Sequence, residues 1–105
     1  MAVTSKTLFR GAATTTVTTL LYTVPASTKT VVTNIAVTNT AGSAATFTLS
    51  LGTAATPTSL HTTTAIAANS TIYIDCKQTL ATTEVVKGGA SAITVNFHVT
   101  GVEIV

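Results

Sequence analysis

What this chain has little of narrows its function before any motif is sought. Only 8% of its 105 residues are charged, against about 25% in an ordinary soluble domain. Tryptophan is absent, and the single cysteine, Cys76, excludes an intrachain disulfide and any multi-cysteine metal site. Cys76 is expected inside a strand, where a free cysteine behaves as a small hydrophobe. The acidic residues are Asp75, Glu84 and Glu103, each on a different expected element, so a converging carboxylate pair is not expected. His61 and His98 match no close metal-ligand spacing. No G-x-S-x-G elbow occurs, and Gly88-Gly89 lacks the lysine and following helix of a phosphate loop, which leaves it as a turn. Neither catalysis nor any cofactor or metal is expected.

The scarcity of charge also restricts partners. Lys6, Arg10, Lys29, Lys77 and Lys87 are scattered, and the net charge is only +2, so no basic stripe exists to follow a phosphate backbone and nucleic acid is not an expected partner. No run approaches the roughly 20 apolar residues that span a bilayer. The opening Met1–Lys6 is not a basic segment followed by an apolar one, so no secretory leader is read and a soluble protein made in a cytoplasm is expected.

What is present is threonine in alternation with aliphatic residues, at a mean hydropathy of +0.56. From Val31, the odd positions Val31, Thr33, Ile35 and Val37 face one way and Val32, Asn34, Ala36 and Thr38 the other, the period of a strand. Threonine suits a pleated surface through its branched Cβ and keeps the outer side wettable without charge. Strands are expected over Thr14–Val24, Val31–Thr40, Ala45–Leu51 and Leu60–Ile66. A fifth has Ile72 and Ile74 inward and Thr71, Tyr73 and Asp75 outward, and a short one around Val85 and Val86 ends at Gly88-Gly89. In the last, Ile93, Val95, Phe97 and Val99 alternate with Thr94, Asn96, His98 and Thr100. The second and third are expected to form a hairpin across Ala41-Gly42-Ser43, and the shift of apolar parity beyond Gly101 is expected to be a bulge. The pattern predicts an all-β protein, an antiparallel β-sandwich of jelly-roll or Ig-like type with about seven or eight strands.

Residues 1–11 are expected to be an amino-terminal arm or edge strand, and residues 12–105 the sandwich domain. Leu8 and Phe9 are adjacent and would point to opposite faces of an extended segment, which leaves one of them for a partner, and deletion of the arm is expected to leave a folded domain. A coat so poor in charge protects strand edges badly, so much of it is expected to be covered by other subunits. The residues expected at such interfaces are Lys6, Leu8, Phe9, Arg10, Tyr22, Tyr73 and His98.

The runs "LLYTVPASTKTVVTNIAVTNTAGSAATFTLSLG", "IAANSTIYIDCKQTL" and "SAITVNFHVTGVEI" resemble small all-β virion proteins of tailed bacteriophages, over Leu20 to Val105. The resemblance implies a structural role without catalytic residues. It suggests a capsid decoration or cement protein that assembles as a symmetric oligomer, a trimer, over junctions of the major capsid protein, in a virion made in a bacterial host. A tail or baseplate component is the alternative within the virion. A small carbohydrate-binding module is the alternative from another class, hinted at by Tyr73 near Asp75.

Overall fold

A computed structural model describes residues 2–105 of the protein, and all of their regular structure is strand. In chain order the strands are β1 (Val3–Ala12), β2 (Leu20–Thr23), β3 (Lys29–Asn39), β4 (Ala45–Gly52), β5 (Thr58–Ile66), β6 (Ser70–Leu80), β7 (Val85–Ala90) and β8 (Val95–Ile104). They form two four-stranded sheets, ordered β1-β8-β3-β6 and β2-β7-β4-β5, and every pairing is antiparallel. Successive strands alternate between the sheets except β4 and β5, which pair within one, and the resulting strand order is that of a jelly roll. The body measures 45 × 26 × 18 Å, so its two broad sides are the outer faces of the sheets.

The core lies between the sheets. Val32, Ile35, Val37, Val95, Phe97 and Val99 enter it from one side, and Phe47, Leu49, Leu51 and Val86 from the other. Phe47 and Phe97 meet edge to face, with centroids 6.3 Å apart and planes at 71°. That geometry sets the positive edge of one ring against the negative face of the other.

The expected hairpin of the second and third strands does not form. β3 pairs with β6 and β8, and β4 lies in the opposite sheet. Asn39 explains the crossing: its fully buried amide donates to the carbonyl of Ser43 at 2.8 Å, and its Oδ1 accepts from the Ala41 N–H at 3.1 Å and from the Thr94 hydroxyl at 3.3 Å. These bonds hold a corner that sends the chain across the core.

The strand expected over Thr14–Val24 shrinks to Leu20–Thr23. The Thr14 hydroxyl donates to the Thr16 carbonyl at 3.1 Å and accepts from the Thr16 N–H at 3.2 Å, while the Thr19 hydroxyl donates to the same carbonyl at 2.7 Å. Local side-chain bonds of this kind compete with a ladder, and here they override the strand preference of threonine. The resulting loop then serves β7, whose Gly88 and Ala90 N–H groups donate to the carbonyls of Thr19 and Thr14 at 3.0 and 2.9 Å.

Gly88-Gly89 is consequently strand and not turn. A Cβ on Gly89 would stand 2.4 Å from the Thr16 carbonyl oxygen, and one on Gly88 would stand 2.7 Å from Leu49 Cδ2. The glycines permit close approach on both sides of β7.

The parity changes lie in bulges other than the one expected at Gly101. β8 runs regularly through that glycine, while β1 bulges between Thr7 and Phe9 and β3 between Val32 and Asn34. Opposite the β3 bulge, β6 has extra residues between Asp75 and Gln78, with Lys77 in the left-handed region at φ 59°. The β3 bulge turns Val32 inward along with Ile35 and Val37, which breaks the simple odd–even reading from Val31. The β1 bulge lets Leu8 and Phe9 both pack on the core, against the expectation that one of them points away. Gly101 is required because an added Cβ would lie 2.4 Å from the Val31 carbonyl oxygen of β3, with Leu8 Cδ1 at 2.9 Å. β1 pairs with β8 from Val3↔Ile104 to Ala12↔Asn96, without a break at Gly11.

Candidate functional site

The titratable groups are dispersed. Asp75 is exposed on β6 and ion-paired with Lys77 at 3.4 Å, where water screens the attraction. Glu84 accepts from the Ala81 N–H at 2.7 Å and closes the turn between β6 and β7. His61 lies on Phe47, with centroids 5.3 Å apart, and its Nδ1 is 3.1 Å from the Thr64 hydroxyl. Among the described residues no three of His, Cys, Asp and Glu come together as a metal site would require.

One polar cluster ties the two sheets at an end of the sandwich. The Tyr22 hydroxyl of β2 donates to Glu103 Oε2 on β8 and pairs with the Thr30 hydroxyl of β3 at 2.9 Å. Lys6 of β1 closes on Glu103 at 3.4 Å. Burial, and then the bond to Glu103, push the Tyr22 phenol up to about 12 from 10.0. A phenol held neutral to that pH donates a hydrogen bond and cannot serve as a base. The cluster is a structural tie. Cys76 is equally inert: burial pushes its thiol up, and its sulfur donates to the Val32 carbonyl at 3.5 Å.

A shallow groove of about 440 Å³ opens between Ser27, Thr28, Lys29, Thr82, Ile104 and Val105. Its threonine hydroxyls already donate to main-chain carbonyls, Thr28 to Ala26 at 3.0 Å and Thr82 to Thr28 at 2.7 Å. Little of its polar capacity remains for a ligand.

The residues expected at interfaces divide into two groups. Leu8 and Tyr22 are buried, so they offer no surface, and Phe9 is half-buried against the core. Lys6 is engaged with Glu103. Arg10, His98 and Tyr73 stay outside, and the register brings them into one row. Arg10 pairs with His98, His98 with Ala36, and Ala36 with Tyr73. The row crosses all four strands on the outer side of β1-β8-β3-β6, a span of about 14 Å at three inter-strand spacings.

Two further rows flank it. One holds Asp75, Asn34 and Thr100; the other holds Thr71, Thr38, Asn96 and Ala12. Thr38 and Thr71 hydrogen-bond each other at 3.0 Å. Among the described residues, the side chains of Arg10, Asn34, Tyr73, Asn96 and His98 make no hydrogen bond, and Tyr73 is 74% exposed. Asn34, Ala36 and Asn96 were not among the expected interface residues. Their place on the polar side of each strand is in the alternation, but the adjacency of these strands is not.

No protein-family model matches the chain, and no curated protein matches it. Its fold is similar to that of a chain in the structure of infectious bursal disease virus, Gx strain, with a TM-score of 0.54 and 14% identity. That likeness covers 97% of this chain and 32% of the other, so this chain spans about a third of its neighbour's length. A chain in the crystal structure of the infectious bursal disease virus particle aligns over 97% of this chain and 30% of its own, with a TM-score of 0.49 and 11% identity. A pentameric capsid protein from metagenomic phage sequences aligns over 94% of this chain and 59% of its own, with a TM-score of 0.36 and 9% identity. The first of these establishes a shared jelly-roll fold.

Proposed function

We propose that this protein is a structural subunit of a virion, a decoration or cement protein on the head of a tailed bacteriophage, acting by binding and not by catalysis. The observation that carries the reading is the jelly-roll sheet order, shared along nearly the whole chain with part of a protein in a viral particle. Shared fold alone does not fix function; the surface adds a physical argument. The open edges of β1 and β5 are each about nine or ten residues long, and β5 has no charged residue. Edges that lack charge are templates for pairing unless another chain covers them. A specific contact of about 800 Å² per partner would cover about one-seventh of the 5349 Å² surface.

In this reading the protein forms a symmetric oligomer, a trimer, seated on the major capsid protein, with the uncharged β5 edge in the contact. Light scattering of the purified protein is expected to give an oligomer. Imaging of particles made with and without the gene product is expected to differ by density on the head shell. Density on the tail instead assigns the protein to a tail or baseplate, and a monomer that leaves no density on any particle overturns the virion role.

A further inference from the structure

β1 enters the sheet through a single neighbour. Every ladder bond it makes goes to β8, and so do the bonds that flank it: the Val105 N–H donates to the Ala2 carbonyl at 2.9 Å, and the Ala13 N–H to the Val95 carbonyl at 2.7 Å. Of its ten residues only Leu8 is buried and seven are exposed. At the other edge of the same sheet, β6 sets Ile72, Ile74, Cys76 and Leu80 against the core, where β1 sets Leu8 and Phe9. The remaining hold is Lys6 on Glu103, and half of that lysine lies in water, which weakens the pair. Glu103 keeps a second partner without it, because Tyr22 donates to the carboxylate from the opposite sheet. Just beyond Ala13 the chain is pinned again, where the Thr14–Thr19 loop closes on its own hydroxyls and receives the Gly88 and Ala90 N–H groups. A segment with few buried contacts and firm anchors beyond it can open by itself.

We infer that β1 is an exchangeable strand: it leaves β8 as one piece while the other seven strands stay folded, and β1 of a second copy takes the vacated place. An uncovered β8 edge is a template for an incoming strand, and the structure shows which strand fits it. The place is marked by the Glu103 carboxylate, by the space over Gly101 in which Leu8 lies, and by the offset that the Thr7–Phe9 bulge absorbs. Lys6, Leu8 and Phe9 of a second copy match all three, in the register Val3↔Ile104 to Ala12↔Asn96. Exchange of an identical element links two chains at little cost, since each contact given up within a copy is regained between copies. The β5 edge belongs to the other sheet and stays free for the contact proposed above. The inference concerns one strand and stands whether or not the virion reading holds.

The test uses Thr7 and Thr100, which are register partners with exposed side chains. A chain carrying Thr7→Cys is mixed with one carrying Thr100→Cys at high concentration in a glutathione redox buffer without denaturant, and disulfide-linked dimers are read by non-reducing electrophoresis and peptide mass spectrometry. Neither chain can form this bond within itself, so a mixed dimer reports β1 of one copy on β8 of the other. It is expected to exceed by about tenfold the yield obtained when Thr71→Cys, at an exposed position of β6, replaces Thr100→Cys. In the parent protein, the amides of β1 are expected to exchange with deuterium at least about tenfold faster than those joining β3 to β6, as an opening short of global unfolding requires. The inference is overturned if the mixed dimer forms no more readily than with Thr71→Cys. It is also overturned if β1 exchanges as slowly as β3, since any dimer would then arise from wholly unfolded chains.

Discussion

On the outer side of β7 the Thr14–Thr19 loop comes so close that Gly89 has no room for a Cβ, which would sit 2.4 Å from a carbonyl oxygen. At the corresponding inner strand of the other sheet, β3, Ala36 is half-buried between its register partners His98 and Tyr73. The outer side of β2-β7-β4-β5 is closed further where Lys87 reaches the Ala54 carbonyl at 2.8 Å, drawing in the loop between β4 and β5. The two sheets thus share one core but use their outer sides differently. One is partly covered by its own loops, and its Thr48 hydroxyl accepts from the Thr63 N–H at 3.0 Å. The other keeps Arg10, Asn34, Tyr73, Asn96 and His98 without side-chain hydrogen bonds among the described residues, although Thr38 and Thr71 bond each other at 3.0 Å. Loops that satisfy the backbone serve the fold, while unpaired side chains gathered on one face are available for binding.

The largest expected effects test the shared part. Phe47→Ala and Phe97→Ala should each cost about 3–5 kcal/mol in chemical denaturation, since each ring is fully buried and leaves a cavity. The double variant should lose about 0.5–1.5 kcal/mol less than the sum, because the edge-to-face contact is removed in both single variants. A cheap Phe97→Ala beside a costly Phe47→Ala would show a core that belongs to one sheet.

The next effect separates the outer sides. Gly89→Ala forces the Thr14–Thr19 loop away from β7 and strains the bonds it makes there, at about 1–3 kcal/mol. Ala36→Ser on the open face should stay within about 0.5 kcal/mol. If the two substitutions cost the same, the loop is not a fixed cover and the contrast between the faces fails.

A third prediction concerns the tie between the sheets. Tyr22→Phe removes the hydroxyl that donates to Glu103 and should cost about 1–2 kcal/mol near neutral pH. The phenol ionises at 10.0 in the unfolded chain and only at about 12 in the fold, so between those values the unfolded state has lost its proton while the native state still holds it. The resulting stability is complete below pH about 10 and is lost as pH rises toward about 12. Denaturation curves across that range should show the wild type losing its advantage over Tyr22→Phe. A constant difference would place the hydroxyl outside the tie.

Much of this molecule is legible in its sequence wherever one strand explains itself. The alternation of Val95, Phe97 and Val99 with Asn96 and His98 gives both faces of β8, and the parity of Ile72, Ile74 and Cys76 gives β6. What is not legible depends on contacts between distant segments. Thr14–Thr19 reads as strand because threonine favours strands, and only its local hydroxyl bonds make it a loop. Gly88-Gly89 reads as a turn because the need for space comes from Thr16 and Leu49. Leu8 and Phe9 share the core through a bulge whose cause lies in the pairing with β8. The candidate face follows the same rule. Each strand announces its polar side, but the row of Arg10, His98, Ala36 and Tyr73 exists only once the sheet order is known.

The smallest expected effect is also the sharpest test of that row. His98 follows Phe97 directly in β8, yet its ring lies on the outer side, bonded to no described side chain. His98→Ala keeps the Cβ and the backbone ladder and removes no hydrogen bond, so stability should change by less than about 0.5 kcal/mol. One step along the strand therefore separates the largest loss from the smallest. A loss above about 1 kcal/mol would mean that the imidazole supports the sheet, and the row would then belong to the fold. If stability holds, the strand is divided by parity alone: an inner face that holds the sandwich together through Val95, Phe97 and Val99, and an outer face at His98 that the fold does not need.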